Sequence, residues 1–169
     1  MKKLLINCDL GEWEEASFTA ALMPHLHLAN IACGGHAGST ESIQQCAALA
    51  QNCGVLTGAH PGVAGQRGRV LPDGFTAQEF SDLLERQIET YLSTGTALHH
   101  IKLHGALYHL SESNAAVHQT FLAFAASHNC AIIALAGGNV AAAAKASNIP
   151  CFEEAFLDRN YLPDCGLVP

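Results

Sequence analysis

The sequence is short of positive charge: eight Lys and Arg stand against fifteen Asp and Glu, giving a formal net charge of −7, and the cations are scattered. Nucleic-acid binding normally needs a basic face, so nucleic acid is excluded as the expected partner. No apolar run approaches the roughly 20 residues that cross a bilayer, which excludes a membrane partner of that kind. Met1-Lys2-Lys3 before Leu4-Leu5-Ile6 imitates the opening of a signal peptide, but Asn7 and Asp9 interrupt the run and no small-residue cleavage site follows. The expected location is therefore cytoplasmic. None of the seven cysteines forms a Cys-x-x-Cys pair, and an odd number does not suit a secreted disulfide framework. They read as buried free thiols behaving as small hydrophobes, with Cys8 and Cys33 nearest the proposed site. Also missing are G-x-x-x-x-G-K-[ST], G-x-S-x-G and His-Glu-x-x-His, the local signatures of a phosphate loop, a nucleophile elbow and a zinc-protease helix.

What the chain does have is sustained β/α alternation. Strand-like runs Leu4–Asp9, Ala29–Cys33, Val55–His60, His99–His104, Ala131–Ala136 and Cys151–Phe156 are separated by helix-like stretches. The stretches run from Trp13 to Met23, from Ile43 to Cys53 behind Ser39-Thr40-Glu41-Ser42, over a long segment capped by Thr76, from Asn114 to Ser127, and on to Ser147. In the long segment Phe80, Leu83, Leu84, Ile88, Tyr91 and Leu92 recur at helical spacing. Gly54 and Gly95 read as helix stops. Pro61 to Gly74 reads as a loop rich in Gly, Pro and Arg.

Alternation of this kind builds a parallel sheet with helices outside it, over a single domain spanning residues 1–169. Polar residues at nearly every strand end favour a barrel over an open sheet, whose ligands gather at one switch point. Six strands are too few for the standard eight, so the expectation is an incomplete (β/α) barrel. Because all strands run the same way, their carboxyl ends collect at one rim, bringing Asp9, His36, His60, Lys102 and His104 together. Residues two apart on a strand share a face, which pairs Asn7 with Asp9 and Lys102 with His104, and turns Ile101 and Leu103 toward the helices. Glu12, in the turn after Gly11, can reach back over the same rim. Inward polar groups at that depth must satisfy one another, bind an ion or await a substrate.

Blander readings stand beside these. Asp9 could be a cap for the first helix. His25, His27, His99, His100, His109, His118 and His128 read as surface or satisfied core residues. Arg67 and Arg69 are either solvated loop charges or a carboxylate clamp. Gly137-Gly138-Asn139 could offer backbone N–H groups to an anion, a weak signal on its own.

Six strings resemble the LamB/YcsF family. They are Asn7-Cys8-Asp9-Leu10-Gly11-Glu12, the segment from Ala29 to Gly38, Gly58-Ala59-His60-Pro61, the segment from Lys102 to Tyr108, Glu154 to Tyr161, and Gly166-Leu167-Val168-Pro169. The resemblance implies a barrel of the glycoside hydrolase/deacetylase type. It also implies the activity of an ATP-dependent 5-oxoprolinase, in which 5-oxo-L-proline, ATP and water give L-glutamate, ADP and phosphate, with family chains serving as its A subunit. ATP would be the co-substrate of a complex with the B and C subunits. Departures are Ser39 in place of the family's Asp, Leu103 in place of Pro, a shorter loop after Pro61, and Cys165 in place of Gly. Family chains also continue beyond Pro169, so the fold is expected to lack its C-terminal part.

Hydrolysing a cyclic amide takes a base to deliver water and a donor for the developing oxyanion. The expected catalytic set is Asp9, Glu12, His36, His60, Lys102 and His104. Asp9 or Glu12 would be the base, Lys102 the oxyanion or phosphate partner, and His60 or His104 the acid for the departing nitrogen. Asn7, Asn30 and Arg159 are candidates for substrate binding, Arg159 for its carboxylate. A rival reading is a metal-dependent deacetylase-like hydrolase in which Asp9, His36 and His60 hold a divalent metal. Another is a non-catalytic subunit that delivers substrate. An unfinished barrel exposes sheet edges, so a homo-oligomer is also expected.

Overall fold

The computed structural model describes residues 4–162. Six parallel strands form one sheet in chain order: β1 Asn7–Leu10, β2 Leu28–Ala32, β3 Leu56–His60, β4 His100–Lys102, β5 Ala131–Leu135 and β6 Cys151–Glu154. The sheet is strongly curled. A flat sheet would hold its first and sixth strands about 24 Å apart, five spacings of about 4.8 Å. Yet Asn7 Nδ2 on β1 donates to Glu154 Oε2 on β6 at 3.1 Å. Lys102 on β4 reaches both edge strands, Asp9 and Glu154. The architecture is a half-barrel with its polar interior on the concave side, as the alternation implied.

The helices that cover the convex side are α1 Ala16–Leu22, α2 Thr40–Cys53, α3 Ala77–Ser93, α4 Gly105–Ser113, α5 Ala115–Ser127 and α6 Asn139–Ala146. Ser39 caps α2 through a reciprocal box with Ser42, so the residue that departs from the family pattern has a structural task here. Gly54 ends α2 in the left-handed conformation, at φ 68°. Thr76 and Glu79 form the same box at the start of α3. Phe80, Leu84, Ile88 and Tyr91 of α3 are fully buried, each contributing about 1.5–3 kcal/mol by burial. Leu92 lies off that face and is exposed, so helical spacing included one position too many.

Two elements were not expected. Helix α4 follows β4 directly, starting at Gly105 behind His104, which makes no side-chain cap. Without a capping residue, its start carries no local signal. The Pro61–Gly74 loop contains a short 3₁₀ turn, Gln66–Gly68. Ile101 and Leu103 join the apolar core beneath the helices, as the two-residue period requires. Among the described cysteines, Cys33, Cys46 and Cys130 are buried and Cys8 and Cys151 half-buried, but Cys53 is exposed. Among the described residues, no helix is long and apolar enough to cross a membrane. Cys165 and the Gly166–Pro169 string lie outside the described residues.

Candidate active site

The register of the strands lays the site out in rows. Asp9 pairs with Asn30, Asn30 with Gly58 and Gly58 with His100, so these four stand side by side across β1 to β4. Any side chain at Gly58 would run into the His100 ring, which explains why the row has a gap there. His60 lies one step further toward the rim, beside Ala32.

Lys102 is the hub of the inner network. Its Nζ sits 3.1 Å from Asp9 Oδ1 and 3.0 Å from Glu154 Oε2, and donates to Asn7 Oδ1 at 3.2 Å. Asn30 Nδ2 donates to Asn7 Oδ1 and Asp9 Oδ1, and Asn30 Oδ1 lies 2.8 Å from His100 Nε2. Burial would weaken the Lys102 ammonium, but Asp9 and Glu154 outweigh it and hold the group above its usual range. Burial would likewise raise the Asp9 carboxyl. The charge and hydrogen bond of His60, with Lys102 and Asn30, instead hold it well below the carboxylate range. Asp9 therefore does not serve as a helix cap; Glu15 precedes α1.

Four side chains crowd the outer network. His36 Nε2 is 2.8 Å from Glu12 Oε1. His60 Nε2 faces His104 Nδ1 at 2.9 Å and Asp9 Oδ2 at 3.3 Å. His104 Nδ1 is 3.3 Å from Glu12 Oε1. The rings of His36 and His104 stack with centroids 3.6 Å apart and planes 3° from parallel. Gly62 lies so close to His36 Nδ1 that a side chain at 62 would displace the ring. Burial pushes the His104 imidazole down to about 4, assisted by His60 and His36. Burial also opposes Glu12 ionisation, but the hydrogen bond and charge of His36, then the charges of His60 and His104, bring its carboxyl below its ordinary value. Trp13 packs edge-on against His36, and the Arg67 guanidinium, though exposed, lies 5.1 Å over the indole at the rim.

Between the two networks opens a cavity of about 140 Å³, lined by Asp9, His60, Lys102, His104, Arg69 and Arg159 among others. All nine residues expected from the sequence thus lie at or around one rim: Asn7, Asp9, Glu12, Asn30, His36, His60, Lys102, His104 and Arg159. Sequence reasoning misses three contributors. His100 reads as background, although its place two residues before Lys102 on β4 predicts the same inward face. Glu154 stands out only within a family string. The Tyr108 hydroxyl, on the uncapped α4, is buried without a partner, as is Glu154 Oε1. Burial, then the Glu154 charge, pushes that phenol well above its usual range.

Neither cysteine near the site suits nucleophilic attack, because burial raises both thiols, Cys33 to about 12. Nor does Gly137-Gly138-Asn139 wait for an anion. Glu112 Oε2 already accepts from Asn139 N at 2.6 Å and from Val140 N at 3.4 Å.

His100 makes the fold acid-sensitive. It is fully buried, and burial pushes its imidazole down to about 3. In the unfolded chain it titrates near 6.5. The unfolded state therefore binds the proton first as pH falls, so stability from this residue is complete above about pH 6.5 and drains away down to about pH 3. Urea unfolding should show a loss of about 1.4 kcal/mol per pH unit from this ring between pH 6 and 4. In His100→Gln the slope should fall by that amount; an unchanged slope would show that the ring is already solvated.

The LamB/YcsF family model matches residues 4–169. A protein of Limosilactobacillus fermentum described as the A subunit of 5-oxoprolinase is 35% identical, over 100% of this chain and 71% of its own length. The protein of the same description from Bordetella pertussis is 34% identical, over 97% and 69%. The crystal structure of a lactam utilization protein from Thermus thermophilus superimposes with a TM-score of 0.88 at 27% identity, covering 99% of this chain and 72% of that one. A putative cellobiose-phosphate cleavage protein from Enterococcus faecalis shares the fold, with a TM-score of 0.63 at 14% identity.

Proposed function

The chain belongs to the LamB/YcsF family, and from that premise we propose that it is the A subunit of an ATP-dependent 5-oxoprolinase, a hydrolase that opens the lactam of 5-oxo-L-proline to L-glutamate. The observation that supports this best is His60, joined to both Asp9 and His104 on the wall of a cavity of about 140 Å³ that Arg69 and Arg159 also line. Such a cavity is scaled to a small cyclic amide, and its arginines suit the carboxylate that 5-oxoproline carries.

The chemistry follows from the charges. Asp9 or Glu12, both held ionised, takes a proton from the attacking water. The Lys102 ammonium offsets negative charge on the carbonyl oxygen or on a phosphate placed there by ATP. His60 or His104 returns a proton to the departing ring nitrogen. Asn7 and Asn30 orient Lys102 and Asp9 through the hydrogen bonds described above. ATP enters as co-substrate of a cytoplasmic complex with the B and C subunits, which activate the lactam while this half-barrel opens it. The edge strands β1 and β6, flanked by exposed Leu4, Ile6 and Leu157, support self-association along that seam.

Glutamate release by the chain reconstituted with B and C is the direct test. It should require this chain, and Arg159→Ala should raise KM for 5-oxoproline roughly 10–100-fold with little change in kcat, the worth of a charged hydrogen bond. No glutamate from the full set would end the reading; an unchanged KM would remove Arg159 from it.

A further inference from the structure

The outer network closes its hydrogen-bond arithmetic only if a proton or another positive charge sits between its rings. His60 Nδ1 lies 2.8 Å from the Lys102 carbonyl oxygen. His104 Nε2 lies 2.9 Å from the Arg67 carbonyl oxygen. A carbonyl oxygen only accepts, so each of these nitrogens carries the ring proton. In neutral rings that leaves His60 Nε2 and His104 Nδ1 as lone pairs facing each other at 2.9 Å. Carboxylate oxygens surround them: Glu12 Oε1 at 3.3 Å from His104 and 3.7 Å from His60, and Asp9 Oδ2 at 3.3 Å from His60. Acceptors converging on one point call for positive charge there.

We propose that His60 Nε2, His104 Nδ1 and Glu12 Oε1 form a three-ligand site for a divalent transition-metal ion, zinc or a metal of similar preference, with His36 as the positioning residue that holds Glu12. This deepens the hydrolytic reading, on which the ion's catalytic use rests; its binding does not.

Three observations carry the assignment. First, spacing: donors around a tetrahedral zinc, at bonds of about 2.0–2.1 Å, sit about 3.3 Å apart. The three separations here are 2.9, 3.3 and 3.7 Å. Second, both imidazole ligands are already held from behind, His60 by Lys102 O and His104 by Arg67 O, and His36 Nε2 fixes the ligand oxygen of Glu12 directly. Ligand orientation by outer hydrogen bonds of this kind is the rule at metal centres. Third, the stacking decides between His36 and His104. Parallel rings 3.6 Å apart cannot aim in-plane lone pairs at one ion, and it is His104 whose far nitrogen is anchored. His36 Nδ1 is instead buried without a partner, as fits a ring whose other nitrogen donates to Glu12. The set differs from Asp9, His36 and His60, the trio expected from sequence: Asp9 Oδ1 is engaged by Lys102 and Asn30 and its Oδ2 faces His60 alone, whereas the Glu12 oxygen lies within reach of both His60 and His104. Bound there, the ion would polarise the amide carbonyl or acidify a water at the cavity wall.

The test is titration of chelator-dialysed protein with cobalt(II), read by visible absorption and calorimetry. One equivalent should bind with the spectrum of mixed nitrogen and oxygen ligation, and zinc should displace it. His104→Gln and His60→Gln should abolish this, while His36→Gln should weaken it about 10–100-fold, the cost of losing an outer partner. A His25→Gln control should bind as the parent does. Absence of stoichiometric binding, or equal binding by a folded His104→Gln variant with a parent-like melting curve, would overturn the site in favour of a proton shared between the rings. Full glutamate release by a reconstituted complex in which this chain, stripped of metal, is given magnesium alone would overturn the ion's catalytic use, since imidazole ligands favour transition metals over magnesium. That result would leave the lactam-opening reading standing. Intact cobalt binding with no glutamate release would support the ion site and sink the lactam reading.

Discussion

Replacing Lys102 with Met should cost about 3–5 kcal/mol of unfolding free energy at neutral pH, the penalty for removing one partner of a buried ion pair. The ammonium is buried between Asp9 and Glu154, and the methionine side chain keeps the stem's volume while deleting only the charge. Besides Lys102, Glu154 leans on Asn7 and on the neighbouring Tyr108 hydroxyl, neither of which carries positive charge. Its Oε2 accepts from Asn7 at 3.1 Å and its Oε1 has no partner. The seam between β1 and β6 would then hold two facing carboxylates, and the curl of the sheet would be strained most there. A second change, Glu154→Gln, should recover part of the loss by removing one of those charges. Urea denaturation of the single and double variants measures both terms. A loss under about 1 kcal/mol would mean that the pair behaves as a solvated surface bridge and that the seam is wet.

His104→Ala should lower kcat/KM for glutamate release by the reconstituted complex about 10²–10⁴-fold, the usual range for deleting a proton-transfer group. The ring has three contacts to lose: His60 at 2.9 Å, Glu12 at 3.3 Å and the stack on His36. Burial pushes its imidazole down to about 4, so the ring is neutral at working pH and its Nδ1 lone pair is open to a proton or to the proposed ion. Loss of the ring should therefore fall mainly on kcat rather than on KM. His25→Ala, at an exposed position remote from the rim, should leave the rate unchanged. Parent-like turnover in a folded His104→Ala variant would remove the imidazole network from the chemistry altogether.

Much of this architecture is legible in the sequence because parallel strands obey two simple rules. A common direction puts Asp9, His60 and the residues after β4 at one end, and a period of two puts Asn7 with Asp9 and Lys102 near His104. Those rules use only sequence, so the membership of the site can be expected. They say nothing of how side chains divide a shared volume. Asp9 divides its carboxylate, Oδ1 toward Lys102 on the inner side and Oδ2 toward His60, while Glu12, from a turn, stands among the imidazoles as well. His100 reads only as a surface or satisfied core residue, and the structure makes it the latter, bonded to Asn30. Its burial depends on the absence of a side chain at Gly58 on the adjacent strand, a contact between positions 42 apart in the chain. Helix α4 lacks a capping residue to announce it, and with it the Tyr108 hydroxyl beside Glu154 goes unseen.

Gln87 on α3 donates to the Gly62 carbonyl at 2.7 Å and accepts from the Gly62 amide at 3.1 Å, while Gly62 abuts the His36 ring. The outer layer is thus latched, through one amide, onto the glycine against which the imidazole stack rests.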